Sequence, residues 1–126
     1  MNNKQAIETQ KAPIPLGPYS QAVKAGNTVY LSGQIPLNLL GDLLEGNIET
    51  QTRQVFDNLK AVAEAAGGDL NQCVKLTIFL TDLDNFSVVN NVMVDYFKSP
   101  YPARSTIEVS GLPKGAKIEI EGTMVL

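Results

Sequence analysis

Arg104 and Glu119 are the side chains in this chain best suited to chemistry on a small acid. Arg104, one of only two arginines, stands in the strand-like run Pro102-Ala103-Arg104-Ser105-Thr106-Ile107-Glu108-Val109. Glu119 stands in a second such run, Lys117-Ile118-Glu119-Ile120-Glu121. A guanidinium offers a rigid fork that matches a carboxylate bidentately. A charged, hydrogen-bonded pair of that kind contributes about 1.5–3 kcal/mol, enough to orient a three- or four-carbon acid. A neighbouring carboxylate can accept a proton from water or hold the water in line. Together they would grip a substrate carboxylate and aim water at the carbon beside it. The competing reading is structural, with Arg104 paired to Glu119 or Glu108 across a subunit contact.

Other positions carry weaker signals. The turn Gly17-Pro18-Tyr19 would project a phenol over a cleft, although Tyr19 packing at a strand start explains it equally well. Ser32-Gly33-Gln34 puts a glycine inside a strand, the mark of a bulge or of a close backbone approach to a ligand. Asn90, on a helical stretch, suits capping or bridging rather than chemistry. The chain has no histidine, which removes the commonest general base and metal ligand near neutral pH. Ser-His and Cys-His nucleophile pairs and a two-histidine ribonuclease site are thereby excluded. Cys73 is the single cysteine, so no intrachain disulfide forms, and it reads as a small buried apolar residue. No Gly-rich phosphate loop, metal-ligand cluster or nucleotide fingerprint is present.

The elements that must position these residues fit one domain, residues 1–126, at 13.6 kDa. Thirteen acids against ten bases give a net charge of −3, which disfavours a phosphate-tracking surface and so a nucleic-acid partner. The N-terminus lacks the apolar core of a secretory signal, and no apolar run approaches the ~20 residues of a membrane span. The expectation is a cytoplasmic protein with no membrane partner. Residues 1 to 16, punctuated by Pro13 and Pro15, read as a mobile lead-in.

Two extended runs follow, Tyr19 to Ala25 and Thr28 to Ile35, and Gly26-Asn27 between them signals a hairpin. Pro36 to Gly46 reads as a loop. Val55, Leu59, Val62 and Ala66 recur at helical spacing within Asn47 to Ala66, with Asn47 as N-cap and Gly67-Gly68 as the stop. Val74 to Leu80 alternates at period two, which predicts Val74, Leu76, Ile78 and Leu80 on one face. A second helix spans Asp84 to Lys98 until Pro100 and Pro102 forbid its continuation. Ala103 to Val109 and Lys117 to Val125 complete the set as strands.

The order ββαβαββ with two amphipathic helices predicts an α+β two-layer sandwich, helices on one face of the sheet. Parity places Arg104, Thr106 and Glu108 on the uncovered face, together with Lys75, Thr77, Phe79, Glu119 and Glu121. That mixed surface predicts self-association in closed symmetry.

Gly17-Pro18-Tyr19-Ser20-Gln21, Ser32-Gly33-Gln34-Ile35-Pro36, Pro102-Ala103-Arg104-Ser105 and Ile118-Glu119-Ile120 after Leu112-Pro113 resemble the Rid (YjgF) family, from about Gly17 to Val125. The resemblance implies a chorismate-mutase-like fold, a homotrimer with a central sheet barrel, and clefts between subunits. The implied activity is cofactor-free, metal-free hydrolysis of 2-imino or 2-enamino acids to 2-oxo acids and ammonia. Carried over, Arg104 pairs with the substrate carboxylate, Glu119 positions water and Tyr19 lines the pocket. The backbone at Ser32-Gly33 and at Thr106 comes within reach of the substrate. Family members commonly carry cysteine where this chain has Thr106, so thiol-based regulation there would be lost. The alternatives are a small-acid-binding regulatory trimer without turnover and an endoribonuclease acting as a translation inhibitor. The missing histidine and the acidic balance argue against the latter.

Overall fold

Asn47 opens the longer helix: its backbone is extended and its Oδ1 accepts a hydrogen bond from the Thr50 amide at 2.9 Å. The helix, α1, runs Ile48–Ala65, and Gly67 beyond it takes the left-handed φ of 96° that ends such helices cleanly. Val55, Phe56, Leu59 and Val62 are fully buried on its inner stripe. Each contributes about 1.5–3 kcal/mol by leaving water, and Leu59→Ala would cost about 2–5 kcal/mol through the cavity left behind.

The computed structural model describes residues 3–126, and within them the strands are β1 (Lys4–Ile7), β2 (Ala22–Ala25), β3 (Thr28–Gln34), β4 (Cys73–Leu80), β5 (Ala103–Glu108) and β6 (Ile118–Val125). A second helix, α2 (Phe86–Tyr96), follows a 3-10 turn at Leu83–Asn85. The six strands form one sheet in the order β1-β2-β3-β6-β4-β5. All neighbours are antiparallel except β4 and β5, which the α2 crossover leaves parallel. Both helices cover one face. Leu76, Ile78 and Leu80 of β4 and Ile118, Ile120 and Met124 of β6 join Val55, Phe56 and Leu59 in a single core. Phe56 stacks at 5.2 Å on Tyr96 and meets Phe97 edge-on at 5.4 Å, tying α1 to the end of α2.

The predicted hairpin, the two helices and the three later strands are all present. Four details differ. Lys4–Ile7, inside the expected lead-in, is a strand paired with β2, whereas residues 1 and 2 lie outside the described residues. Only Ile7 of that strand is buried, so an edge strand of this kind carries no alternation to read. Val74 is 50% exposed rather than core-facing, because the β4–β6 register shifts between Cys73 and Lys75 and turns Cys73 inward instead. Phe86 is 42% exposed at the start of α2 instead of lying in its buried stripe.

The fourth difference bears on the site. Arg104 and Thr106 register with Leu76 and Ile78, and therefore point to the helix-covered side. Ala103, Ser105 and Ile107 take the uncovered face, where Lys75 Nζ donates to Ser105 Oγ at 3.1 Å. The parity inferred from the sequence was inverted for β5. This edge strand contributes no residue to the main core, so its inward positions need not be apolar.

Candidate active site

Arg104 is held by α2. Its Nη1 donates to Asn90 Oδ1 at 2.6 Å and approaches Met93 Sδ at 3.6 Å, while the guanidinium carbon sits 5.0 Å from the Phe86 ring centroid. Asn90, Met93 and Phe86 fall on successive turns of one helix face, which is how a single helix immobilises one guanidinium. Among the described residues nothing accepts a hydrogen bond from Nε or Nη2. That edge is the one geometrically matched to a carboxylate. Arg104 lines a cleft of about 290 Å³ with mainly apolar walls, Met93, Val94, Tyr101 and Pro102.

Glu119 belongs to another place. It registers with Phe79 across β4–β6, on the uncovered face, whereas Ile118 and Ile120 beside it point into the core. Its carboxylate lies against Gly33 in a cleft of about 170 Å³ that also holds Tyr19, Leu16, Ile35, Leu37 and Pro113. The group is half-buried and no hydrogen bond reaches it among the described residues. Burial first, and the nearby Glu121 charge second, push its pKa above the ordinary 4.5. A carboxylate so placed takes up a proton more readily than a solvated one.

The walls of this second cleft are pinned by buried amides. Gln21, 2% exposed, accepts from the Thr9 amide at 2.7 Å and donates to the Thr9 and Pro13 carbonyls at 3.1 and 2.9 Å. It thereby fixes the segment leading to Ile14 and Leu16. Asn58 Nδ2 donates to the Leu37 carbonyl at 3.0 Å from α1, holding the opposite wall. The Tyr19 hydroxyl accepts from the Leu16 amide at 3.2 Å, and the ring is 51% exposed over the cleft.

Tyr19, Gly33 and Glu119 thus come together, and Arg104 does not join them within one chain. The expectation that Arg104 and Glu119 share the uncovered face is overturned: they occupy opposite faces of the sheet. Ser32 is set aside from the cleft as well, its hydroxyl donating to the Ser20 carbonyl at 2.6 Å. Thr106 presents a buried hydroxyl with no partner on the Arg104 side. Asn90, read from the sequence as a capping or bridging residue, does bridge: it is the partner that holds Arg104. Its signal was available, since Asn90 and Met93 sit one turn apart on a helix preceding the arginine strand. Cys73 is buried as expected, and burial followed by the Asp69 charge pushes its thiol up to about 11. Among the described residues no group of three or more His, Cys, Asp or Glu is placed to hold a metal ion. No described helix is long and apolar enough to cross a membrane.

A single sheet with two helices on one side is the architecture of a Rid-type α+β domain. The chain belongs to the Rid (YjgF) family, whose sequence profile, described as Endoribonuclease L-PSP, matches residues 9–126. It is 48% identical over 127 residues to the 2-iminobutanoate/2-iminopropanoate deaminase of Dermatophagoides farinae, covering 100% of this chain and 99% of that protein. The crystal structure of RidA from the Antarctic bacterium Psychrobacter sp. PAMC 21119 superposes with a TM-score of 0.94 at 50% identity, over 97% of this chain and 99% of the other. E. coli TdcF with bound serine superposes with a TM-score of 0.90 at 38% identity, over 97% and 98% of the two chains.

Proposed function

We propose that this chain hydrolyses 2-imino and 2-enamino acids, such as 2-aminoacrylate, 2-iminopropanoate and 2-iminobutanoate, to 2-oxo acids and ammonia. The site we propose is shared by two protomers of a homotrimer, with Arg104 from one and Glu119 from the next. The observation that carries this reading is the Arg104 guanidinium, fixed by Asn90 at Nη1 beside an apolar cleft, with no acceptor for its Nε–Nη2 edge among the described residues. It gains weight from the full-length likeness to a relative named for that reaction.

In this reading the Nε–Nη2 edge of Arg104 grips the substrate carboxylate and fixes the imine carbon. The Glu119 carboxylate removes a proton from water as the water oxygen bonds to that carbon. That proton passes to nitrogen to give a carbinolamine, whose hydroxyl proton then transfers to nitrogen as the carbon–nitrogen bond breaks, so that ammonia leaves a carbonyl behind. Imines need orientation and one placed water rather than a strong nucleophile. The raised proton affinity of Glu119 moves it toward the range of a useful base. Tyr19 closes the pocket, and the backbone at Ser32-Gly33 and at Thr106 offers polar contacts.

The test is to couple a serine or threonine dehydratase to ammonia or 2-oxo acid release, with and without this protein. Wild type should accelerate release, and at the low imine concentration the dehydratase sustains Arg104→Ala and Glu119→Gln should each leave almost none of the acceleration. Mixing the two inactive variants under subunit exchange should restore roughly a quarter of the sites, by chance pairing around a ring. No acceleration by wild type, with binding of a 2-oxo acid retained, would leave a small-acid-binding trimer without turnover. No restoration on mixing would sink the shared site.

A further inference from the structure

The sheet beneath the Glu119 carboxylate is bare at one position. A Cβ on Gly33 would overlap Glu119 Oε2 outright and lie 3.0 Å from Cδ and 3.2 Å from Cγ. Real Cβ atoms essentially never come closer than 3.0 Å to such neighbours, so any side chain there would have to displace the carboxylate. The backbone does not demand glycine here. The left-handed glycines are 26, 41, 46, 67 and 115, and Gly33 is not among them. What position 33 requires is space alone, the close approach that an internal strand glycine permits.

The local register brings Gly33 to that spot. Leu31 pairs with Gly122 and Gln34 with Ile120, so three steps along β3 span two along β6. The extra residue makes a bulge, and bulges re-aim neighbouring groups. The carboxylate seated over it is walled by Leu16, Ile35, Leu37 and Pro113. The titratable groups facing it are Tyr19 across the cleft and Glu121 further along β6. Nothing hydrogen-bonds the carboxylate in place among the described residues, so the fit against Gly33 sets where it rests.

We propose that Gly33 is a positioning residue for the hydrolysis, its absent side chain forming the seat that keeps the Glu119 carboxylate drawn back against the sheet inside the cleft. The inference rests on the deaminase reading above. A methyl group at position 33 drives the carboxylate outward toward water. It leaves the same chain's Arg104, on the other face of the sheet, untouched.

Gly33→Ala should therefore lower kcat by about a hundredfold, the cost of a misplacement near 1 Å, with KM changed less than about threefold. Gly111→Ala, where a Cβ meets open space, serves as control and should change neither. The acid limb of kcat/KM should move to lower pH in Gly33→Ala, and a carboxyl NMR titration should follow Glu119 toward its ordinary 4.5, because the displaced group is better hydrated. Should Gly33→Ala fold poorly, a stability cycle with Glu119→Ala decides the matter. Removing the carboxylate should make the alanine at 33 well tolerated. An unshifted Glu119 titration, or a stability loss equally large without the Glu119 side chain, would overturn the seat. If wild type itself fails to accelerate release, the deaminase reading falls, and the NMR titration and stability cycle still judge the contact.

Discussion

The two clefts of this chain treat their charged groups in opposite ways. Arg104 is restrained at Nη1 by Asn90 and Met93 and over its plane by Phe86, and among the described residues nothing accepts from its Nε–Nη2 edge. Glu119 has no hydrogen-bond donor among the described residues, lies against a glycine, and holds its proton more tightly than a solvated carboxylate does. A restrained cation suits binding, since little freedom is lost when the ligand arrives. A poorly solvated acid suits reaction, since its basicity is raised. Under the proposed function, the difference assigns one face of the sheet to recognition and the other to proton transfer.

That contrast breaks most completely at Glu119. Glu119→Gln should reduce kcat by about 10²–10⁴, the range for loss of a positioned base, with little change in KM. Arg104→Ala should reduce kcat/KM by roughly 10- to 150-fold, the loss of a charged hydrogen-bonded contact of 1.5–3 kcal/mol, mainly through KM. Arg104→Lys should recover little of it, because an ammonium lacks the planar fork. Asn90→Ala should cost less, about five- to tenfold in KM, since it frees the guanidinium without removing it. If Asn90→Ala instead lowers kcat alone, the division of labour between the faces is wrong.

Acidity sharpens the comparison further. Because Glu119 has a raised folded pKa, the acid limb of kcat/KM should lie above pH 4.5. The sign for stability is the reverse of the usual carboxylate case. Between 4.5 and the raised value the folded state binds the proton more tightly, so rising pH lowers stability through that window. Above it Glu119→Gln should melt no lower than wild type, and slightly higher at pH 7. A lower Tm for Glu119→Gln would show that the charge is favourably solvated in the cleft. The smallest effect belongs to Cys73: with its thiol pushed up to about 11, iodoacetamide should leave the native protein unlabelled at pH 7.5 and label it on unfolding.

Much of the fold could be read from periodicity, since the α1 stripe and the alternation of β6 each report burial directly. Reading failed where a residue's burial did not follow from its own strand. Val74 was misplaced because a register shift inverts parity without any sign in residue type. Arg104 was misplaced because β5 is an edge strand that contributes no residue to the main core, so its inward positions, facing Asn90 and Met93 of α2, need not be apolar. Arg104 and Glu119 as chemical types were legible, and so was the internal glycine at 33. Their distribution over two faces was not, because it depends on which strands neighbour one another. The order β3-β6-β4-β5 is a long-range property that local pattern does not encode.

Placing a guanidinium on one side of a β-layer and a carboxyl group on the other has a genetic corollary under the shared-site proposal. Each protomer would lend its cation to one neighbour and its acid to another, so a chain lacking both would spoil two crevices at once. In a ring of three, a single such mutant copy would silence roughly two-thirds of the assembly's capacity, a dominant-negative behaviour that self-contained sites cannot produce.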